Sequence, residues 1–523
     1  MEEAEYDYVI IGSGFGGSVS ALRLSEKGYK VLVIEKGKRL EAADFPKSNW
    51  NLRKWMWLPF AKCFGLFKLT FFRHVGVVSG VGVGGGSLVY ANTLPIPKEA
   101  FFKTGSWSDL ADWEGELKPY YAIAKQMLGA TPNPHLQRGD KALQELAKQI
   151  GKEEHFEPTE VAIYFGKPDE TVPDPYFGGK GPERTGCTQC GACMIGCPNG
   201  SKNTLDKNYL YLAEGLGAKI KPESLVYDVV PHGKNGEEGY TIKYKKSTKY
   251  FGKKGSIKAK SVIFAGGVLG TVKLLLKLKR NSLKNLSDQV GADVRTNSES
   301  LVGVTAYGRD KSFSEGIAIG SILHTDEHSH LEPVRYSSGN GFWRIFMTPM
   351  VKGGNVFVRI ARMFGDYFRH PIKNLKVFFT DDWSKRTQIL LFMQSIDTTL
   401  KFRRNWFGGM GSRKDKGKAP TAFIPEAQEL AHKFSDIVDG KPMVMSTETL
   451  LGIPTTAHIL GGAVMGKSKK EGVIDHNNFV FGYENMMVCD GSMISANPGV
   501  NPSLSITAIS EYAMSKIPEK ENK

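Results

Sequence analysis

The chain has 523 residues, with 69 Lys and Arg against 54 Asp and Glu, and a formal net charge of +15. That length exceeds one small core and points to two or three intertwined domains. The globular composition excludes a disordered or fibrous chain, and no apolar run reaches the roughly eighteen residues of a membrane span.

The N-terminus, MEEAEYDYVIIGSG, is acidic and runs directly into an apolar strand. It does not read as a signal peptide, so a reducing cytoplasm is expected. Tyr8 to Ile11 has the pattern of a buried parallel strand. Gly12-Ser-Gly14-Phe-Gly-Gly17 follows, matches G-x-G-x-x-G, and opens a helical segment carrying Val19, Leu22 and Leu24. A second strand, KVLVIE, ends in Glu35. The glycines allow a tight turn and close backbone approach to a pyrophosphate at the helix N-terminus, and the acid can hold ribose hydroxyls. Such a unit predicts a dinucleotide site without separating NAD from FAD.

Residues 49–74 crowd aromatics with Lys and Arg and contain no acid, which suits a membrane-surface contact and equally an ordinary core. Residues 76–97 are glycine-rich and include Gly84-Gly85-Gly86-Ser87, bare backbone suited to a bulky ring system. In GCTQCGACMIGCPNG, 186–200, Cys187, Cys190, Cys193 and Cys197 follow the C-x2-C-x2-C-x3-C-P spacing of the bacterial ferredoxin run. Cys63 and Cys489 are the cysteines left to act as a remote ligand. Three readings stay open: an iron-sulfur cluster on these thiolates, a zinc site, and a reduced-thiol turn kept for packing.

Residues 260–276 read as a strand, a Gly-Gly turn and an apolar helix. Residues 342–379 again mix aromatics with basic residues around one acid, Asp366. Val356, Ile360, Met363 and Phe364 share a helical face, with Arg359, Arg362 and Arg369 off it. That pattern suits a helix lying on an anionic membrane interface, and equally a core helix with snorkelling arginines. RTQILLFMQSI and TTLKFRR read as antiparallel strands roofing the cofactor. Near the C-terminus, ENMMVCDGSMIS brings Asp490-Gly491 to a strand end, where ligands of open α/β sheets gather. The predicted class is α/β. A discontinuous Rossmann-type domain, residues 1–300 and 451–523, carries an inserted substrate-binding domain, 301–450, of antiparallel sheet plus helices.

GSGFGGSVSALRLSEKG, GVGVGGGSLV, VIFAGGVLGT, TAHILGGAVMG and VCDGSMISANPGVNPSLSITAISEYA occur in this order. With them the chain resembles the glucose-methanol-choline (GMC) oxidoreductases, and within that family the cholesterol oxidase branch. The resemblance implies tightly bound FAD. Gly12, Gly14 and Gly17 would meet its pyrophosphate, Glu35 the adenosine ribose, and the backbone around Val226 the adenine. Gly86 and Ser87 would approach the flavin and its chain, and Asp490 and Gly491 the ribityl-pyrophosphate region. The resemblance also implies a catalytic pair, His458 and Asn501, at the flavin face. An imidazole near neutral pKa and a fixed amide can take the hydroxyl proton from an alcohol as hydride leaves carbon.

The implied activity is FAD-dependent oxidation of the CH–OH group of a hydrophobic alcohol. The resemblance further implies a glutamate that moves a sterol ring double bond, sought in residues 329–342. Glu332 is the acid there, in a register that departs from the family pattern, so the substrate stays open between a sterol and another lipid alcohol. The expected partners are that alcohol, an acceptor (oxygen, quinone or carrier protein) and a membrane surface, and no nucleic acid. The expected location is the cytoplasm, peripheral at the inner membrane face. The rival reading is an electron-relay flavoprotein with an iron-sulfur cluster and no alcohol site.

Overall fold

Tyr6–Ile11 is apolar along its whole length because it lies inside a parallel sheet with a partner on each side. In the computed structural model, which describes residues 5–521, it pairs with Val31–Ile34 and with Lys254–Phe264. The sheet runs in the order Lys219–Lys221, Val31–Ile34, Tyr6–Ile11, Lys254–Phe264, Tyr240–Lys246, Ser224–Pro231. Lys254–Phe264 forks. Its first half pairs antiparallel with Tyr240–Lys246, while its last residues pair parallel with Met486–Val488. The helices Phe15–Glu26 and Ser503–Ser515 pack together beside this sheet.

A second sheet, antiparallel throughout, has the order Met347–Pro349, Gly440–Met445, Ser300–Ala306, Thr387–Gln394, Ser329–Val334, Ser321–His324, Phe156–Pro158. The two-residue period of its strands divides the faces. Val302, Val304, Leu331, Leu390 and Phe392 turn to one side and pack with residues of the helices Arg138–Gln149 and Pro425–Ile437. Leu301, Gly303, Val334, Ile389 and Leu391 turn to the other and line a cavity.

Three expectations change. Residues 138–158 were expected with the cofactor domain, yet they supply a helix and an edge strand to the second sheet. Asp140 anchors that helix: its carboxylate takes a 2.7 Å ion pair from Arg335 and a hydrogen bond from Ser321, all buried. Second, Thr399–Arg404 is a strand, but it pairs with Val294–Arg295 and Met410–Lys414 in a separate small sheet and does not join the roof. Third, residues 49–74 divide between interior and surface. Trp55 stacks on Phe67 and meets Trp343 edge-on, so most of the aromatics there serve a core.

Asp140 and Arg335 are removed from water together, and breaking one partner leaves the other uncompensated. Asp140→Ala is expected to lower stability by roughly 3–5 kcal/mol, read as a shifted denaturant midpoint. A change within error would detach residues 138–158 from the second sheet.

Candidate active site

The carboxyl ends of the parallel strands deliver Gly12, Glu35 and Ala265 to one place. Gly12 has φ +112°, and a Cβ there would run into the carbonyl of Ala265. Gly17 packs its bare Cα on the carbonyl of Gly12 in the same way. Glu35 is held rigid: one carboxylate oxygen accepts from the backbone and hydroxyl of Ser13, the other from Gly37 N. Gly14, Gly267 and Gly270 are different, since a Cβ on any of them would meet no protein atom within 4 Å. All three border open space.

That space is two cavities, of about 360 and 140 Å³, sharing Gly14, Gly86 and Gly266–Gly267 as wall. The smaller is lined by Gly12, Glu35 and Val226. The larger runs to His458, Asp490, Gly491 and Asn501 under the antiparallel roof. A long, bare-backbone channel with a buried acid, Glu35, at one end fits an extended flavin dinucleotide. The Ser87 side chain is engaged within the protein. Its hydroxyl donates to Gly84 O and accepts from Leu205 N, below the glycine turn. Asp490 borders the cavity, but its carboxylate accepts from Ser492 and Thr271. Burial raises its pKa despite those bonds.

At the far end, the ring of His458 sits between the short strand Thr455–Thr456 and the Gly461–Gly462 pair. Its Nδ1 lies 2.8 Å from Glu299 Oε2. Glu299 is buried, and its other oxygen accepts from the amide of Ala457. Burial alone would push the Glu299 carboxyl up, but His458 and these donors hold it below its usual range. The reciprocal effect on His458 overcomes burial: Glu299, aided by Glu332, raises the imidazole above 6.5. A second carboxyl, Glu448, is pushed far up by burial, with Glu299 adding repulsion. The negative charge therefore rests on Glu299, which fixes the Nδ1–H tautomer and leaves the Nε2 lone pair free. Asn501 is buried, lines the same cavity, and its Oδ1 has no hydrogen-bond partner among the described residues. A base with a free lone pair beside an unsatisfied amide can receive a hydroxyl group.

Sequence reasoning did not find Glu299. It lies far from His458 in the chain, in a short polar stretch with no motif. Glu332 is fully buried, and both its oxygens lack hydrogen-bond partners among the described residues, although Oε1 lies 3.7 Å from His330 Nε2. Leu391, opposite it in the sheet, lines the cavity, so Glu332 faces the same side.

The four clustered cysteines correct an expectation. Among the described residues no three His, Cys, Asp or Glu side chains are placed to hold a metal ion. Cys193 lies in an apolar cluster with Val161, Ile163, Ile317 and Ala318, while Cys190 is exposed. Burial foremost, and neighbouring thiols, push Cys187 up to about 12. Burial likewise pushes Cys193 up to about 11. Cys489 is buried in the core of the parallel-sheet region and Cys63 in another strand, Cys63–Phe64. The loop instead braces the cofactor cradle: buried Lys202 donates to the carbonyls of Cys193, Leu88 and Tyr90.

Two GMC oxidoreductase family profiles match this chain, over residues 182–292 and 395–510, and an NAD(P)-binding Rossmann-like profile matches 10–46. A cholesterol oxidase of Acinetobacter baumannii is 45% identical, covering 99% of this chain and 95% of the relative. A cholesterol oxidase of Mycobacterium tuberculosis is 40% identical over 99% of this chain and 92% of its own length. A long-chain-alcohol oxidase of Arabidopsis thaliana is 25% identical over 98% of this chain and 67% of its own. The solved pyridoxine 4-oxidase from Mesorbium loti shares the fold, with a TM-score of 0.63 and 14% identity, covering 98% of this chain and 99% of that one.

The Glu299 pairing is testable without substrate. By NMR, His458 is expected to titrate above 6.5 in the wild type. Glu299→Gln removes the charge that favours imidazolium, so the midpoint should fall. An unmoved midpoint would dissolve the pair.

Proposed function

Because the chain belongs to the GMC oxidoreductase family, in its cholesterol oxidase-like branch, we propose that it oxidises the hydroxyl of a bulky hydrophobic alcohol, with His458 as base. It is an FAD-dependent alcohol oxidase. The observation that carries the proposal is the His458–Glu299 pair opening onto a largely apolar cavity beside Asn501.

Gly12, Gly14, Glu35, Val226 and the Gly266–Gly267 turn would hold the FAD. When bound, it supplies the acceptor for the hydride. The chain's own residues do the rest. His458 Nε2 takes the hydroxyl proton as the carbinol C–H bond breaks and the C=O bond forms. Glu299 stabilises the resulting imidazolium through Nδ1–H. Asn501 fixes the alcohol oxygen with its amide. Tyr336, Trp343, Trp383 and Leu391 line the cavity and keep water from the reacting atoms.

Among hydrophobic alcohols, a sterol is the substrate we favour, with oxygen as acceptor. The relatives named as cholesterol oxidases span nearly the whole chain. Glu332, a buried carboxyl with no hydrogen-bond partner among the described residues, suits a proton shuttle on an unsaturated ring. The relay reading needs no base, and the His458–Glu299 pair argues against it.

The alcohol reaches the site from a lipid surface. The helices Val356–Arg369 and Pro371–Phe378 present Phe357, Phe364, Phe368, Ile372 and Phe378 outward, with Phe368 82% exposed. This inverts the expected roles of the arginines. Arg359 is buried and donates to Thr449 O, and Arg362 donates to Lys352 O and Gly353 O. The apolar residues thus face out while Arg359 anchors the helix. Phe71 both lines the cavity and is exposed, which brings the cavity to the surface. Among the described residues no helix is long and apolar enough to cross a membrane.

His458→Ala should slow anaerobic flavin reduction by a lipid alcohol by roughly 10²–10⁴-fold while FAD stays bound. Asn501→Ala should slow it as well. Since neutral imidazole is the active form, the wild-type rate should rise with pH through a His458 pKa above 6.5. Wild-type rates in both variants would remove His458 and Asn501 from the chemistry. For the surface, Phe357→Ser with Phe368→Ser should weaken sedimentation with anionic vesicles by about tenfold or more. Unchanged partition would exclude these helices as the lipid contact.

A further inference from the structure

Among the described residues, three lysines near the channel form no ion pair. Lys36 follows the ribose-holding Glu35 and lines both cavities. Lys68 lies in the strand Phe67–Phe71, opposite Ser79, and lines the larger cavity where Gly80 joins it to the smaller. Lys273 stands on the helix Val268–Leu278, exposed and outside both cavity walls, near enough to repel both. Among the described residues, no hydrogen-bond or ion-pair partner is seen for any of these ammonium groups. Glu35, the acid beside Lys36, already has both oxygens engaged by Ser13 and Gly37. Burial, with the other two lysines adding to it, pulls Lys68 down to about 7. A partly desolvated cation without an anion is costly, and convergent ones repel. Lys36 and Lys68, together at the cavity, therefore call for an anion that the described residues do not supply. His458 and Asn501 occupy a different part of the channel, so the lysines mark the dinucleotide part.

We propose that Lys36 and Lys68 are the cation pair for the diphosphate of the bound FAD, supplementing the partial charge of the first helix N-terminus. This rests on FAD being the cofactor of the channel. The cofactor then completes ion pairs that the empty channel lacks. Retention of FAD depends on its diphosphate at these side chains as well as at the glycine turn.

The test uses purified holoenzyme and follows flavin fluorescence on dilution at rising salt. Wild type should release FAD slowly, and faster as salt rises. Lys36→Met with Lys68→Met should release it at least about 100-fold faster, since each charged hydrogen bond contributes about 1.5–3 kcal/mol. Its salt dependence should be flatter. Lys36→Arg with Lys68→Arg should restore slow release. Riboflavin, which lacks the diphosphate, should rebind to the emptied wild type and methionine variant equally. If the double methionine variant fails to accumulate, the single variants carry the same comparison. Release rates and salt slopes equal to wild type would overturn the proposal. So would unchanged FAD retention with a raised KM for the alcohol, which would assign the lysines to an anionic substrate. Wild type purified without flavin would instead sink the FAD reading itself.

Discussion

A long cofactor has to lie where four chain segments converge, and this constraint governs the rest of the structure. The strands Tyr6–Ile11, Val31–Ile34, Lys254–Phe264 and Met486–Val488 end beside one another. Side chains at their turns would fill the only space available. Gly12 and Gly17 are bare because neighbouring backbone already touches them, whereas Gly14, Gly267 and Gly270 are bare on the side of the channel. The first kind of glycine closes the packing of the sheet on its helix. The second kind leaves a groove of exposed backbone, which only a ligand can cover. Lys202 and the cysteine loop then hold the outer wall of that groove from behind, through the carbonyls of Leu88 and Tyr90.

The far end of the channel works by a different economy of charge. Two carboxyls and one imidazole are buried together. Burial drives Glu448 towards its neutral form, while Glu299 keeps its charge because His458 and backbone amides bind it. The Glu299 carboxylate thus orients the base, with Glu332 adding to its field. In a low-dielectric roof of Leu301, Ile389 and Leu391 that interaction is stronger than it would be in water. Raising the imidazole makes it the better proton acceptor, and the same carboxylate then stabilises the charge that forms.

The outer surface connects to this end through Arg359. The helix Val356–Arg369 has its polar anchor inside and its phenylalanines outside, the reverse of an ordinary surface helix. Arg359 donates to Thr449 O, within the turn Thr447–Leu451 that also carries Glu448. The exposed apolar surface is thereby fastened to the segment that leads to His458. A lipid alcohol leaving a bilayer would meet that surface close to the chemistry.

The local features were legible from sequence alone. The nucleotide turn, the acid at the second strand and the Gly-Gly turn at 266–267 each depend on neighbours along the chain. Periodicity and glycine spacing therefore reveal them. His458 and Asn501 were visible through family resemblance, and both line the cavity. What sequence could not show depends on contacts between distant segments. Glu299 meets His458 only because the antiparallel roof lies over the parallel sheet. The Ser87 hydroxyl ties Gly84 to the distant Leu205, a contact that no spacing announces. The ferredoxin-like cysteine spacing is real, but the turns around Gln189 and Gly191 send one thiol to solvent and another into an apolar cluster. Residues 138–158 look like a continuation of the cofactor domain until Asp140 meets Arg335. For the helix at 356–369, composition announced both aromatics and arginines, but which of them faces outward was settled by the carbonyls available to Arg359. Local backbone geometry is written in short spacing, whereas the burial and pairing of charges are decided only when remote segments exclude water together.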